Sequence, residues 1–302
     1  MRDLIIIGGG PAGCSAGIYS ARKKLNTLLI TKDFTGQIGH STWVENYLGF
    51  ERIKGLDLAK SFKSHLESLD IEIKEFEEVV EVVKKKDFFS VITDEGEYEA
   101  RALIICSGAK SKKLGVANEE KFLGKGISYC VTCDEASFEG KDVAVIGGGN
   151  AGVEAAIELT GFAKKVYLLE CEKDLSADEF LVERLKEESG NIITACKVTR
   201  FDGDEELKSV VYIENGKKKT LKIDGCFIEI GSKPNTDYIK GVVDLNDKGE
   251  IVVNPKTFQT SVKGIFAAGD VVDFKEKQVV IATGQGCLAA LSAYRYLSES
   301  TN

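Results

Sequence analysis

A chain of 302 residues, 43% hydrophobic and 29% charged, has apolar material for a sizeable core and a length that suits about two domains. This composition excludes collagen, coiled coil and intrinsic disorder, and no run reaches the roughly 18 apolar residues of a membrane span. With 40 basic and 48 acidic residues the net charge is −8, which argues against a nucleic-acid or anionic-membrane surface, so a soluble, unexported, cytoplasmic protein is expected.

The chain opens on Leu4-Ile5-Ile6-Ile7, then Gly8-Gly9-Gly10-Pro11-Ala12-Gly13, then small residues from Cys14 to Arg22 that suit a helix. A continuous apolar strand running into glycines and a helix is the opening of a dinucleotide fold. The first glycine permits the tight turn, the second lets backbone approach a pyrophosphate, the third lets helix and strand pack, and the helix N-terminus faces the phosphates. Thr27-Leu28-Leu29-Ile30 supplies the second strand. The pattern returns as Asp142 to Ile146, Gly147-Gly148-Gly149-Asn150-Ala151-Gly152, a helix through Thr160 and the strand Val166 to Leu169. Gly8 and Gly147 are offset by 139 positions, as are Thr31 and Glu170, the residues closing the two second strands. That is an internal duplication.

Each copy continues into short alternating strands with a polar hairpin tip, Asp94-Glu95-Gly96 in one and Glu214-Asn215-Gly216 in the other, then a strand ending at Gly108 or Gly231. The runs Lys84-Lys85-Lys86 and Lys217-Lys218-Lys219 beside these tips read as solvated loops.

Eight cysteines are present. A disulfide framework belongs to short secreted chains without a core, so most are expected to be free thiols. Cys14, Cys106, Cys171, Cys196, Cys226 and Cys287 stand singly and read as small hydrophobes. Cys130-Val131-Thr132-Cys133 is the one Cys-x-x-Cys pair, and short spacing lets such a pair open and close reversibly. Zinc would need two more ligands, and the only histidines, His40 and His65, are distant in sequence. Two dinucleotide sites can hold a flavin and a nicotinamide, with the thiol pair as the next two-electron acceptor.

With these motifs in hand, the chain resembles low-molecular-weight thioredoxin reductases from end to end. Gly8 to Gly13, Gly36-Gln37-Ile38 with Val44-Glu45-Asn46, Leu103 to Ala109, Cys130 to Asp134, and Gly264 to Asp270 with Lys277-Gln278-Val279 carry the resemblance. It implies an α/β fold of two Rossmann-like, three-layer ββα domains: a discontinuous FAD domain, residues 1–112 and 242–302, and an inserted nucleotide-binding-like domain, 113–241, bearing the redox pair. It also implies that the inserted domain rotates, on hinges near Gly108 to Gly115 and Lys240 to Asp244. The flavin contacts would be Gly8, Gly10, Pro11, Ala12, Gly13, Thr31, Gly36, Gln37, Ile38, Asn46, Gly108, Gly269, Asp270, Lys277, Gln278 and Val279. Cys133 would face the flavin, Cys130 would exchange with the disulfide of thioredoxin or a glutaredoxin-like protein, and Asp134 would be the proton donor, against the simpler role of a helix cap. A homodimer is implied as well.

The pattern is broken in three places. The stretch that reads the 2′-phosphate of NADPH in the family is Glu170-Cys171-Glu172-Lys173-Asp174-Leu175-Ser176 here, with Cys171, Glu172 and Ser176 where arginines are expected. NADPH is therefore disfavoured. Glu170 instead suits a ribose 2′-OH, which makes Gly147, Gly149, Asn150, Gly152 and Glu170 an NAD site and resembles the NADH-using flavoprotein component of alkyl hydroperoxide reductase. That flavoprotein has a thioredoxin-like region ahead of its flavin domain, whereas this chain begins at the flavin strand, so a separate protein is the expected disulfide substrate. Alternatively reduced ferredoxin is the donor, with Arg22, Lys23, Lys24 or Lys110, Lys112, Lys113 as contacts. Glu135 stands where the family has glycine, at a cost of about 1 kcal/mol if φ is positive. Thr31 lacks a carboxylate for the flavin's ribose, a role open to Asp33. The competing functions are a flavin-dependent NADH oxidase or ferredoxin:nicotinamide reductase with incidental thiols, and a non-catalytic flavin redox sensor.

Overall fold

The computed structural model describes residues 1–40, 44 and 46–299; Glu45, in the flavin-contact segment above, lies outside the described residues. Two compact units are present: Met1–Gly39, Tyr47–Lys110 and Lys233–Asn302 form one, His40–Asn46 and Ser111–Ser232 the other.

The first unit opens with β1 (Arg2–Ile7), α1 (Pro11–Arg22) and β2 (Thr27–Thr31). Leu4 to Ile7 and all of β2 are buried, as a parallel strand covered on both faces requires. After α2 (Gly55–Glu67) come β3 (Glu72–Glu75) and the antiparallel meander β4 (Val79–Lys84), β5 (Phe89–Thr93) and β6 (Glu97–Ile105). Strand β6 pairs parallel with β1.

The chain enters the second unit along β7 (Ala109–Ser111), followed by α3 (Glu119–Phe122), β8 (Ile127–Ser128) and the four-residue α4 (Val131–Asp134). The repeated fingerprint is β9 (Asp142–Ile146), α5 (Asn150–Thr160) and β10 (Lys165–Leu169). It continues through α6 (Glu179–Glu187), β11 (Asn191–Ile193), the meander β12 (Cys196–Gly203), β13 (Leu207–Glu214) and β14 (Lys217–Lys222), then β15 (Gly225–Ile228). The parallel sheet runs β11-β10-β9-β15-β8. Asn215 (φ +51°) and Gly216 (φ +73°) make the tight turn expected of Asn-Gly. Lys217 to Lys219, expected in a loop, instead begin the edge strand β14, where lysines face solvent and blunt the edge, and Lys219 pairs with Glu214.

The chain returns along β16 (Ser232–Pro234), paired with β7, and ends with β17 (Ile265–Ala267) and α7 (Val279–Glu299). Strand β17 lies parallel on β6, so the first unit's parallel set is β3-β2-β1-β6-β17. Both units thus have the same five-stranded order, with the last place filled by a later segment in one and an earlier segment in the other.

Besides the short segment His40–Asn46, the chain crosses at Lys110/Ser111 and Ser232/Lys233, the latter before Lys240 to Asp244, which belongs to the first unit. Asn235 explains the difference: its N–H donates to the Gly108 carbonyl at 2.9 Å, its Nδ2 to the Ser107 carbonyl at 2.7 Å, and its carbonyl accepts from Ser107 Oγ at 2.7 Å. Among the described residues no helix is long and apolar enough to cross a membrane.

Candidate active site: two glycine loops and a disulfide

The two glycine loops are alike to the level of single contacts. Gly8 has φ +109° and Gly147 φ +131°, and a Cβ on either would stand 2.3 Å from a carbonyl oxygen, of Cys106 or Glu229. A Cβ on Gly13 or Gly152 would fall 1.8 or 1.9 Å from the carbonyl oxygen of Gly8 or Gly147, so the third glycine is what lets helix and strand close together. The second glycine makes the same hydrogen bond in each copy. Gly9 N–H donates to Thr31 Oγ1 at 2.9 Å, and Gly148 N–H donates to Glu170 Oε2 at 2.5 Å, both pairs being 22 residues apart.

In the first unit, α1 starts at Pro11 with Gly10 as an N-cap that makes no side-chain cap bond, and a Cβ on Gly10 would meet nothing within 4 Å. Free N–H groups thus face open space at the positive end of a 12-residue helix, the arrangement that receives a phosphate. Gly269 (φ +84°) approaches Ala12 so closely that its Cβ would lie 3.0 Å from Ala12 Cβ. Its N–H donates to Gln285 Oε1 at 2.8 Å, while Nε2 of that buried amide has no partner among the described residues. Burial pushes Asp270 above the usual carboxylate range, against the pull of Lys277. Lys277 is turned inward, donating to the carbonyls of Asp270 and Val272 and pairing with Glu250 Oε1 at 2.8 Å. A glycine cradle, an uncapped helix and an unsatisfied buried donor together fit a dinucleotide.

Gly36 (φ +48°) leads into a short 3-10 turn, Gln37–His40, in which Ile38 is buried. Thr31 Oγ1 donates to the Asp33 carbonyl at 2.6 Å, and Asp33 Oδ1 accepts from Thr35 N, Thr35 Oγ1 and Gly36 N at 2.7 to 2.8 Å. Asp33 thus shapes its own turn. Gly108 (φ +65°) sits beside the Asn235 bonds, and Gln278 immediately precedes α7, which begins at Val279. Asn46 falls instead in the second unit, where Nδ2 donates to the Thr132 carbonyl at 3.5 Å.

In the second unit, Cys130 and Cys133 form a disulfide with Cα atoms 5.4 Å apart. Asp134 makes no capping bond; its Oδ2 accepts from Ser128 Oγ at 2.6 Å, and the same hydroxyl accepts the Cys130 N–H at 3.0 Å. Ser128, which sequence reasoning did not single out, is buried at the end of β8 and ties the acid to the first cysteine. Glu135 adopts φ −53°, ψ −41°, so the strain expected of a non-glycine residue there is absent, because the chain continues its helical turn through this position. Burial first, then the Glu158 carboxylate, push Glu135 up to about 7, and the same two causes push Glu229 up to about 7.

Upstream of the disulfide, the 3% exposed Glu119 accepts from Leu114 N at 2.8 Å, Gly115 N at 2.7 Å and Tyr129 Oη at 2.5 Å. Sequence reasoning missed it as well, for lack of any local signature.

At the second glycine loop, Glu170 Oε1 also accepts from Glu172 N at 2.8 Å. Burial opposes ionisation of Glu170, but the Glu172 N–H, the Cys171 thiol and the Gly148 N–H outweigh it and hold the carboxyl below its usual range. Cys171 and Glu172 are exposed, and the loop folds back through Ser176 N to Gly148 O at 2.9 Å and Asp178 N to Asn150 Oδ1 at 2.8 Å. Of the remaining thiols, Cys14, Cys106, Cys196 and Cys226 are buried, and burial raises each of them.

A family model described as pyridine nucleotide-disulphide oxidoreductase matches residues 2–286. The chain belongs to this family of FAD- and pyridine nucleotide-binding oxidoreductases. It is 38% identical over 299 residues to a protein named NADH dehydrogenase of Bacillus subtilis (strain 168), covering 98% of this chain and 58% of that one. It is 39% identical over 299 residues to the F component of the alkyl hydroperoxide reductase of Staphylococcus aureus (strain Mu50 / ATCC 700699), covering 98% and 59%. The chain therefore spans just under three fifths of the length of these curated relatives. Among solved structures, thioredoxin reductase from Streptococcus pyogenes MGAS5005 matches with a TM-score of 0.94 and 34% identity over 99% of both chains. Thioredoxin reductase of T. acidophilum matches at 38% identity, with a TM-score of 0.67 over 100% of this chain and 99% of that one.

Proposed function

We propose that the protein is an FAD-dependent protein-disulfide reductase that draws electrons from NADH and delivers them through Cys130 and Cys133 to thioredoxin or a glutaredoxin-like protein. The observation that carries this reading is the closed Cys130–Cys133 pair whose neighbouring acid, Asp134, is held by the hydroxyl that also takes the Cys130 N–H. The flavin, when bound, is a two-electron store between a nicotinamide and a disulfide. Its holders would be Gly8 to Gly13 with the N-terminus of α1, Thr31, and the Gly269-Asp270 turn.

Opening the Cys130–Cys133 bond takes two electrons and two protons and leaves two thiols. Asp134 carries one of these protons, and Ser128 orients it. The Cys130 thiolate then attacks one sulfur of the partner's disulfide, forming a mixed disulfide while the partner's other sulfur leaves as thiolate. Attack by Cys133 on Cys130 releases the reduced partner and restores the original bond. NADH is supported by the second glycine loop, which has a carboxylate at Glu170, exposed Cys171 and Glu172 beside it, and none of the arginine forks a 2′-phosphate calls for. The name of the Bacillus subtilis relative agrees.

The test is anaerobic. Dithionite-reduced enzyme is mixed with oxidised thioredoxin, and reoxidation of the flavin is followed; rapid transfer is expected, abolished in Cys130→Ser. No transfer, or full transfer in that variant, refutes the reading. Bleaching of oxidised enzyme by NADH, NADPH and reduced ferredoxin in parallel decides the donor.

A further inference from the structure

Gln285 stands out in the first unit as a polar side chain only 4% exposed in an otherwise small and apolar stretch of α7. Its Oε1 accepts the Gly269 N–H at 2.8 Å, and that bond sets the amide's orientation, because the flipped side chain would put one donor against another. Both N–H groups of Nε2 are thereby directed away from Gly269, and Nε2 has no acceptor among the described residues. A buried donor without an acceptor is costly, and one that persists in a close-packed helix calls for an explanation. The amide's place is defined by close approaches. A Cβ on Gly269 would lie 3.0 Å from Ala12 Cβ, and one on Gly286, the next residue, 2.1 Å from the Ala12 carbonyl oxygen. Gln285 therefore lies where the first turn of α1, the Gly269-Asp270 turn and α7 converge, beside a 12-residue helix whose N-cap has no side-chain bond.

We propose that Gln285 is a flavin-binding residue: Oε1 holds the Gly269 turn, and Nε2 donates, directly or through one ordered water, to an acceptor oxygen in the phosphate-bearing part of the bound dinucleotide. The proposal rests on the flavin lying at the first glycine loop, and it is independent of which disulfide or electron donor the enzyme uses. In the free protein the amide bears an unsatisfied donor; in the holoenzyme it does not. The residue thus favours the loaded form over the empty one.

The test compares the full chain stripped of flavin with the same chain reconstituted with FAD. Gln285→Met removes both halves of the amide, while Gln285→Glu keeps an acceptor for Gly269 and removes the donor. Both variants are expected to weaken FAD binding about tenfold, which corresponds to ~1.4 kcal/mol, measured by fluorescence titration of the stripped protein. Each should reduce the rise in Tm that FAD confers; because Gln285→Met also leaves the Gly269 N–H without its acceptor, Gln285→Glu is the variant whose stripped Tm is compared with that of the parent. In Gln285→Glu, equal losses of Tm with and without FAD, or an unchanged FAD Kd, would overturn the proposal. Since the readout is cofactor binding, failure to reduce thioredoxin would not be mistaken for its failure.

Discussion

Placing arginines at positions 171 and 172 should turn the enzyme toward NADPH. Cys171 and Glu172 are exposed; Cys171→Arg/Glu172→Arg removes the hydrogen bond from the Cys171 thiol to Glu170 but keeps those from the Glu172 and Gly148 N–H groups. Exposed substitutions of this kind change stability by only about 0.5 kcal/mol. Two charge-assisted contacts to a 2′-phosphate bring about 3–6 kcal/mol in all. Glu170 remains, and a carboxylate some 4 Å from the phosphate opposes by about 1–4 kcal/mol, depending on how far water screens the pair. The net is about 2 kcal/mol, or roughly 30-fold in the NADPH to NADH ratio of kcat/KM. Anaerobic stopped-flow bleaching of the flavin by each nucleotide measures it directly. An unchanged ratio in a folded double variant, or bleaching of the parent by NADPH at concentrations as low as for NADH, would refute the reasoning.

Ser128→Ala should separate the two half-reactions. It removes the donor to Asp134 and the acceptor of the Cys130 N–H, so thioredoxin reduction should fall about tenfold, part of the usual contribution of a positioned acid, while flavin bleaching by NADH stays as it was. An equal fall in both phases contradicts the assignment. The pH dependence of stability should carry the mark of Glu135 and Glu229. Both are raised from an ordinary value of 4.5 to about 7 in the folded chain, so across that window the folded state holds protons the unfolded state has lost. Their contribution is full below pH 4.5 and fades as pH rises through 7. Glu170, held below its usual range, acts in the opposite sense and in a more acidic window. The Tm should therefore fall between pH 5 and 7.5, and Glu135→Gln/Glu229→Gln should flatten the slope; a parent with no slope, or a variant that keeps it, contradicts this.

The parts of the molecule legible in the sequence are those whose cause is local. A buried strand, three glycines and a helix announce themselves because the turn, the phosphate approach and the helix packing each demand glycine within six residues, and the same demand made twice exposes the duplication. What was not legible depends on distant segments. The fifth sheet position is filled by β8, two residues long, and by β17, three residues long, neither carrying a periodic signal. The return to the first unit after Ser232 carries no local signal, because it is held by three hydrogen bonds between Asn235 and Ser107 or Gly108, 128 residues apart for Ser107. Ser128 and Gln285 could have been noticed, one as a hydroxyl two residues before the first redox cysteine and the other as a large polar side chain among glycines in a helix, but only the fold shows what each one touches.

The shared bond at the second glycine shows how one fold, used twice, presents two different side chains at the same place. Gly9 and Gly148 present the same N–H to the residue ending the second strand, and the backbone around them is held by the same steric demands. The partner differs in charge. Thr31 answers with a neutral hydroxyl that donates its own hydrogen bond to the Asp33 carbonyl. Glu170 answers with a carboxylate, stabilised as an anion by the Glu172 and Gly148 N–H groups and the Cys171 thiol, next to the second glycine loop. A 2′-phosphate would meet that charge at close range, whereas a ribose hydroxyl can donate to it. On the proposed reading, selectivity between nucleotides resides in the side chain that caps the loop, while the loop itself is common to both copies.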